Sequence, residues 1–239
     1  MSGVPESARV AIVTGADGGI GAGLVAALRG AGYAVVGTSL SLPASGERDY
    51  VTVEGDITRP ETAERVVQQT LGRFGRIDSL INMAGVFIGK PFTDYTSDDY
   101  EAMTGVNLAG FFHITQRVIA QMARQGSGHI VNITTSLVDN PDSQRPSALT
   151  VLTKGGLAAV TRSLAIEYAS RGVRVNAVSP GVIETPLHDP ASYEGLAALH
   201  PLGRVGEIAD VVDAILYLER ATFVTGEILH VDGGQAAGH

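Results

Sequence analysis

Short runs rich in valine and isoleucine recur along the chain, and segments with helical spacing of apolar residues separate most of them. Runs of this kind are typical of strands buried on both faces of a parallel sheet. The runs lie at 9–14, 33–38, 50–53, 77–82, 129–133, 173–178 and 227–231, and the helical segments at 20–31, 60–73, 97–124, 147–170 and 207–218. This alternation predicts an α/β fold with a doubly wound, mainly parallel sheet of about seven strands.

Length and composition narrow the class of protein further. The chain has 239 residues and is 44% apolar, with no linker, low-complexity tract or repeat, so we expect a single domain over 1–239. Its net charge of −8 argues against binding to nucleic acid or to an anionic membrane, because phosphate groups attract clustered positive charge. The absence of cysteine excludes disulfides, thiolate metal sites and a cysteine nucleophile.

Targeting and metal signals are both weak. The first residues do not place a charged stretch before an apolar one, and no apolar run approaches about 18 residues, so we expect neither a signal peptide nor a membrane span. A cytoplasmic protein is the resulting expectation. The six histidines show no ligand-like spacing with carboxylates, so no metal site is predicted.

The connection between the second and third predicted strands is unusually short. About a dozen residues remain there, and Pro43 and Gly46 interrupt them. A parallel crossover needs roughly a dozen residues at minimum, so we predict a loop without a helix.

A glycine-rich turn follows the first strand at once and leads directly into an apolar helix. It reads Thr14-Gly15-Ala16-Asp17-Gly18-Gly19-Ile20-Gly21. The backbone of such a turn can approach a pyrophosphate at the N-terminus of the helix. A tight strand-to-helix turn with no ligand would use the same glycines, so the rest of the chain must decide between the two interpretations.

Five motifs in matching order make the chain resemble the classical short-chain dehydrogenase/reductase family, over about residues 8–235. It is most similar to the 3-oxoacyl-ACP-reductase-like members. The motifs are TGxxxGxG at 14–21, NxAG at 82–85, the asparagine Asn107 in VNLAG, Pro180-Gly181 followed by Thr185, and VDGG at 231–234.

The resemblance implies a Rossmann-like domain that binds NAD(P)(H), with a substrate lid at about 183–204. The resemblance also implies that Asp56 lies near the adenine and that Thr185 contacts the carboxamide. The full implied cofactor set is Gly15, Asp17, Gly18, Gly19, Ile20, Gly21, Ser39, Asp56, Ile57, Asn82, Ala84, Gly85, Lys154, Pro180, Gly181 and Thr185.

The choice between NAD and NADP depends on the end of the second strand. Ser39 occupies the place where an acidic residue would bind the ribose hydroxyls of NAD, so a carboxylate that would repel a 2′-phosphate is missing. Asp17, however, stands where NADP users often carry a base. Arg48 is either a partner for the phosphate or an ordinary solvated charge. The two main cues conflict, with a slight preference for NADP.

The catalytic pattern that the resemblance implies is incomplete. Lys154 and Asn107 match the family's lysine and asparagine, and either Thr135 or Ser136 matches its serine, although each hydroxyl could equally be a turn residue. Thr150 stands four residues before Lys154, where the family has a tyrosine, and there is no tyrosine between Tyr100 and Tyr168. An aliphatic hydroxyl is a poor general acid near neutrality.

Three interpretations follow from the missing phenol. The first, which we favour, is an oxidoreductase with a substituted proton relay: a water held by Thr150 and Lys154, or a group from the lid, where His188, Asp189 and Tyr193 fall. The second is a catalytically silent dinucleotide sensor or interaction protein. The third, a non-redox enzyme on this fold, fits poorly because the glycine loop is kept.

The lid composition and two helices bear on the partners. The lid has few charges, which favours a neutral, partly apolar carbonyl or alcohol substrate. The segments 97–124 and 147–170 carry small or apolar residues on more than one face, and the resemblance implies packing of copies through them. We therefore expect a homodimer or homotetramer.

Overall fold

A computed structural model of the chain describes residues 8–185 and 193–238. Each of the seven predicted runs forms a strand, with ends that differ from the predictions by at most two residues. The strands are β1 Val10–Thr14, β2 Ala34–Ser39, β3 Tyr50–Glu54, β4 Ser79–Asn82, β5 Gly128–Ile133, β6 Val173–Pro180 and β7 Ile228–Val231. They form one sheet in the order β3-β2-β1-β4-β5-β6-β7, and every pair is parallel.

The helices connect these strands. They are α1 Gly19–Gly30, α2 Pro60–Phe74, α3 Ser97–Thr104, α4 Phe111–Gln125, α5 Ala148–Tyr168, α6 Tyr193–Ala197 and α7 Ile208–Arg220. The segment predicted as one helix over 97–124 contains a π-helical turn, Gly105–Gly110, between α3 and α4. No helix in the described part of the chain is long and apolar enough to cross a membrane.

Apolar side chains cover both faces of the sheet. On one face the core includes Leu24 of α1 and Ile215 of α7, and on the other it includes Val66 of α2 and Val118 of α4. This arrangement explains the unbroken apolar runs, since a strand buried on both faces has no solvent side for polar residues. The doubly wound α/β fold predicted from the sequence is confirmed.

The order of the strands creates a crevice above the middle of the sheet. β1 pairs with β2 on one side and with β4 on the other. Crossovers therefore leave this point in opposite directions, and ligands of open α/β sheets bind at such a crevice, beyond the carboxyl ends of the strands. The glycine turn begins at the carboxyl end of β1.

The connection between β2 and β3 is a loop without a helix, as predicted. Arg29 of α1 fastens it, because its guanidinium donates to both carboxylate oxygens of Asp49, at 3.2 and 3.1 Å, and also pairs with Glu47. Leu42 is buried in the core beneath the loop. These contacts replace the packing that a crossover helix would have provided.

Candidate active site

Three glycines allow the turn after β1 to close tightly. Gly15 has a φ of +67° and Gly19 one of +52°, both in the left-handed region that favours glycine. A Cβ atom at Gly21 would lie only 1.9 Å from the carbonyl oxygen of Gly15. At Gly15 a Cβ would also lie 3.0 Å from the Cα of Ala84, so the turn packs directly on the chain after β4.

The outer part of the turn is open and suits an anion. A Cβ at Gly18 would meet no atom within 4 Å, and one at Gly19 would lie 3.5 Å from Cγ2 of Thr185. No side chain caps the N-terminus of α1, and its first turn has no acidic residue. Free amide groups at the positive end of a helix are the ordinary partners of a pyrophosphate. Asp17 is exposed beside them, and Ile20 packs against the core.

Unsatisfied polar atoms mark the same edge of the sheet. Four buried side-chain atoms among the described residues have no hydrogen-bond partner: Thr38 Oγ1, Asn82 Oδ1, Thr150 Oγ1 and Ser179 Oγ. The first, second and fourth lie at or next to the carboxyl ends of β2, β4 and β6. Such atoms are rare in folded proteins, and each leaves an unmade hydrogen bond. Three of the four therefore lie beside the expected crevice, and all four are closed to solvent.

Ser179 was not predicted from the sequence. Its one signal is position, since it lies next to the end of β6 in the expected crevice. Thr38 also holds the glycine turn, because its carbonyl accepts hydrogen bonds from the amides of Gly15 and Ala16, at 2.8 and 3.2 Å.

Three of the predicted residues, Ser39, Asp56 and Ile57, lie at or just after the ends of β2 and β3, where the adenosine is expected. Ser39 is partly exposed at the end of β2, and its carbonyl accepts from the amide of Gly55 at 2.9 Å. Asp56 is engaged locally, since its Oδ1 accepts from the amide of Thr58 at 2.9 Å. Ile57 is buried in the core beneath this region.

Hydrogen bonds from three neighbouring elements, β1, α4 and β5, hold the NxAG motif in place. The Nδ2 of Asn82 donates to Thr115 Oγ1 and to Asn132 Oδ1, both at 2.9 Å. The amide of Ala84 donates to Thr14 Oγ1 at 3.0 Å, which ties the motif to the first strand.

Asn107 lies in the π-helical turn and fixes the loop that follows β4. Its Oδ1 accepts from the amide of Val86 at 2.9 Å, and its Nδ2 donates to the carbonyl of Val86 at 3.0 Å and to Thr153 Oγ1 at 3.1 Å. The wider turn of a π-helix commonly occurs at functional sites. Here it lets one side chain connect the loop to α5.

Lys154 is the most unusual residue of the site. Its side chain is buried on α5, and its Nζ donates to the carbonyl of Ile133 at 2.8 Å. A Cβ at Gly85 would lie 2.9 Å from that Nζ, so the glycine leaves room for the ammonium group. Burial lowers the pKa of Lys154 from 10.5 to about 8, because the charged form is desolvated.

The two candidate hydroxyls after β5 have different surroundings. Thr135 remains partly exposed, and its Oγ1 accepts only a long hydrogen bond, 3.4 Å, from the amide of Leu137. Ser136 is 1% exposed, and its Oγ donates to Gln235 Oε1 at 2.8 Å. The hydroxyl of Ser136 is therefore engaged by the C-terminal part of the chain, whereas that of Thr135 can still donate.

Thr150 lies in the first turn of α5, on the face that also carries Lys154. Its side chain is 2% exposed, and its unpartnered Oγ1 is closed to solvent. A small hydroxyl thus stands, buried, at the position where the family pattern has a phenol.

The turn after β6 brings Pro180, Gly181 and Thr185 to the crevice. The amide of Gly181 donates to the carbonyl of Val231 at 3.0 Å, and a Cβ on this glycine would lie 2.5 Å from the ring of His200. Pro180 is buried at the end of β6.

Of the predicted lid donors, Tyr193 donates from its Oη to the carbonyl of Thr185 at 3.1 Å. His188 and Asp189 lie outside the described residues. The structure therefore describes the predicted lid segment, 183–204, only over 183–185 and 193–204.

Comparison with known proteins agrees with the fold and the motifs. The family model described as enoyl-(acyl carrier protein) reductase matches residues 15–236. A ketoacyl reductase of the granaticin polyketide synthase from Streptomyces violaceoruber is 36% identical over 245 residues, which cover 96% of each chain.

Solved structures give the same result. ElxO with NADP bound has a TM-score of 0.90 at 26% identity, over 97% of this chain and 100% of that one. The 3-ketoacyl-(acyl-carrier-protein) reductase from Brucella melitensis complexed with NADH has a TM-score of 0.86 at 28% identity, over 97% and 99%. The chain therefore belongs to the classical short-chain dehydrogenase/reductase family and is an NAD(P)-dependent oxidoreductase.

Proposed function

We propose that this protein reduces the carbonyl group of a neutral, partly apolar substrate, and that Lys154 donates the proton that a tyrosine gives in the family pattern. The observation that carries the proposal is the buried ammonium group of Lys154, held against the carbonyl of Ile133 and next to Gly85. The chain has two lysines, and this one is placed at the crevice despite the unfavourable desolvation.

The residues around the crevice suit a nicotinamide dinucleotide. The open amides of Gly18 and Gly19 would hold the pyrophosphate, and Thr185 and the chain after β4 would border the nicotinamide. When bound in its reduced form, the dinucleotide supplies the hydride that the carbonyl carbon accepts. Because Ser39 leaves no carboxylate to repel a 2′-phosphate, we propose NADPH as the preferred form.

Lys154 has the properties of a general acid for this step. A pKa of about 8 keeps the amine mostly protonated at pH 7 yet close enough to neutrality to release a proton. One of its three N–H bonds goes to Ile133, and the others have no partner among the described residues. The carbonyl oxygen takes one proton as the carbon gains the hydride, and the neutral amine is then reprotonated from solvent.

Two hydroxyls have different roles in this proposal. Thr135, which is partly exposed, donates a hydrogen bond to the substrate oxygen and orients it. Thr150 does not contact the substrate, because its Oγ1 is closed to solvent. Tyr193 is a weaker candidate for the acid, since its phenol already donates to Thr185.

The relatives support the substrate class. Two of the proteins above are ketoacyl reductases by name. We therefore propose a ketone of the 3-ketoacyl type, consistent with the low charge of the lid. A silent dinucleotide sensor is less well supported, because the relatives are reductases. In addition, the ammonium group of Lys154 is buried at a cost to stability, which a protein without turnover would not need.

Assembly and location are part of the same proposal. We propose a homotetramer, or at least a homodimer, in the cytoplasm. Exposed apolar side chains on the outer faces of the helices support association, among them Phe112 of α4, Ile166 of α5 and Tyr217 of α7. Light scattering at micromolar concentration tests this, and a monomer would contradict it.

The proposed acid is tested by replacing each lysine in turn. The purified protein is mixed with NADPH or NADH and with simple ketones and 3-ketoacyl thioesters, and oxidation of the dinucleotide is followed. We expect Lys154→Met to lower kcat by about 10²- to 10⁴-fold at saturating dinucleotide. Lys90→Met is the matched control, because Lys90 is paired with Asp99 on the surface.

Stability shows whether the Lys154 variant is still folded. A fall of the pKa from 10.5 to about 8 corresponds to about 3 kcal/mol of unfavourable folding free energy at neutral pH. Replacing the lysine with methionine removes this unfavourable contribution but also removes the hydrogen bond to Ile133. We therefore expect Lys154→Met to unfold at the same or a higher temperature. Wild-type turnover in Lys154→Met, or full turnover in Lys154→Arg, which cannot release its proton near neutrality, would refute the proposal.

A further inference from the structure

Gln235, close to the C-terminus, holds the loop that follows β5 through both its side chain and its main chain. Its Oε1 accepts from Ser136 Oγ at 2.8 Å, and its carbonyl accepts from Asn140 Nδ2 at 2.7 Å. The side chains of Gln235 and Ser136 are 3% and 1% exposed. The bond therefore joins two buried groups that are 99 residues apart in the sequence.

Gln235 is itself held rigidly. The carboxylate of Asp232 accepts from the amides of Gly234 and Ala236, at 2.9 and 2.7 Å, and the amide of Gln235 donates to the carbonyl of Asp232 at 3.1 Å. Gln235 thus begins a short 3-10 turn that one carboxylate fixes from inside. The position of its Oε1 is set by this turn and by the end of β7.

The same contacts determine where Thr135 lies. On one side, Thr134 donates from its amide and its Oγ1 to the carbonyl of Val178, at 2.9 and 3.2 Å. On the other side, Ser136 is bound to Gln235. Thr135 itself is held only by its own turn, because its Oγ1 accepts the 3.4 Å hydrogen bond from Leu137 and its carbonyl accepts from the amide of Val138 at 3.1 Å.

A second contact ties the two segments together at the surface. The ring Nε2 of His230, on β7, lies 3.0 Å from Oδ2 of Asp139, three residues after Ser136. This pair is partly exposed and adds little by itself. The buried bond between Ser136 and Gln235 is the one whose loss would leave polar atoms unsatisfied.

We propose that Gln235 is a positioning residue, which acts through Ser136 to aim the Thr135 hydroxyl at the substrate oxygen. The proposal rests on the role given to Thr135 in the proposed function. If positions 136 and 235 only filled space, two apolar side chains would do so without burying polar atoms. A buried polar pair with a single good geometry instead fixes the loop in one conformation.

The test compares Gln235→Met with Gln235→Glu and with Thr135→Val. Methionine keeps the volume of glutamine but cannot accept the hydrogen bond in the same way, whereas glutamate keeps an acceptor oxygen. We expect Gln235→Met to lower kcat by about 10- to 100-fold, because a small misplacement of an orienting group is costly. The dissociation constant for NADPH, measured by fluorescence titration, is expected to stay within about twofold, and Gln235→Glu is expected to recover most of the turnover.

The double variant separates positioning from general loosening of the structure. In a Thr135→Val background, Gln235→Met is expected to cause no further loss of kcat, because the group that it aims is already gone. Glu219→Gln is the stability control, since the Glu219 carboxylate is buried away from the crevice and accepts from Ser79 Oγ and Tyr33 Oη. This control is expected to lower the melting temperature and to leave kcat unchanged.

The outcomes distinguish this proposal from the proposed function. Wild-type turnover in Thr135→Val overturns the role of Thr135, and the positioning proposal with it. A large effect of Thr135→Val together with wild-type turnover in Gln235→Met, or with effects that multiply in the double variant, overturns the positioning proposal alone.

Discussion

The chemistry proposed for this protein depends on the ionisation of one amine. Burial lowers the pKa of Lys154 to about 8, so the group changes charge within the range in which enzymes are ordinarily assayed. A typical surface lysine, with a pKa near 10.4, is an ammonium ion throughout that range. The tertiary environment therefore converts an ordinary cation into a group that can exchange a proton.

Carbonyl reduction should lose rate at alkaline pH. Reduction needs protonated Lys154, so we expect kcat/KM to be flat below about pH 7 and to fall about tenfold per pH unit well above pH 8. Alcohol oxidation needs the neutral amine and should show the opposite dependence. Rate profiles in both directions measure this.

The same ionisation can be observed without turnover. Because the chain has two lysines, protein labelled with ¹³C at lysine Cε should give two lysine signals, and Lys90→Arg assigns them. We expect the Lys154 signal to titrate near pH 8. If it titrates above pH 10 instead, Lys154 is not the acid.

The buried hydroxyl of Thr150 decides between direct donation and a relay. Valine has nearly the same shape as threonine but no hydroxyl, and the unpartnered Oγ1 makes no hydrogen bond that would be lost. We therefore expect Thr150→Val to keep kcat within about threefold and to leave stability unchanged or raised by up to about 1 kcal/mol. A loss of kcat beyond about tenfold would favour a relay through Thr150, and chemical denaturation measures the stability.

At the scale of elements, the π-helical turn between α3 and α4 has a specific function. It places Asn107 so that three hydrogen bonds join the loop after β4 to α5. Gly85 belongs to that loop and lies against Lys154. An ordinary α-helical turn would rotate the following residues differently, so the bulge couples the loop to the lysine.

Removing the Asn107 side chain should therefore loosen the loop. We expect Asn107→Ala to lower the free energy of unfolding by about 1–3 kcal/mol, because it leaves the amide and carbonyl of Val86 without their partners and removes the bond to Thr153 Oγ1. Amide hydrogen exchange at Val86 should become much faster, and kcat should fall. Unchanged protection at Val86 would mean that the loop is held in another way.

Across the whole molecule, a buried polar cluster lies at the edge of the sheet opposite the crevice. Glu219 of α7 accepts from Ser79 Oγ at 2.6 Å and from Tyr33 Oη at 3.1 Å, and its other oxygen lies 2.7 Å from His129 Nδ1. Asn176 Nδ2 lies 3.0 Å from His129 Nε2, and, as the donor there, keeps that nitrogen unprotonated. The cluster connects three strands with α7 and with the residue that precedes β2.

This cluster should contribute to stability and not to turnover. Glu219→Gln replaces an acceptor with an amide that cannot satisfy all of the donors, so we expect a loss of about 1–3 kcal/mol in urea denaturation. We expect kcat to be unchanged, because the cluster lies at the amino ends of the strands. A fall in kcat without a loss of stability would contradict this assignment.

Acid should weaken the same cluster. Burial holds the pKa of His129 below its ordinary value of 6.5, so the unfolded chain takes up a proton that the folded chain resists. Burial alone would raise the pKa of Glu219, but hydrogen bonds from His129 and its neighbours hold it below the usual 4.5. Both effects lower the free energy of unfolding as the pH falls. The effect of His129 begins at about pH 6.5, and urea denaturation between pH 8 and 5 measures it.

The sequence by itself determined the sheet and the place of the crevice. Apolar runs without polar alternation require burial on both faces, and glycines such as Gly21, where any Cβ would collide with the chain, belong to a narrow turn. Local patterns of this kind depend on neighbouring residues, so they can be read along the chain. The missing phenol at Thr150 was visible for the same reason.

Only the tertiary structure decided which groups stand near the position of the missing phenol and in what state. The low pKa of Lys154 comes from burial by residues far away in the sequence, and Ser136, unlike Thr135, is bound by Gln235, about a hundred positions later. The π-helical turn was also missed, because its spacing of apolar residues differs little from that of a helix. Burial and hydrogen bonding between distant segments set these properties, and no local pattern encodes which segments meet.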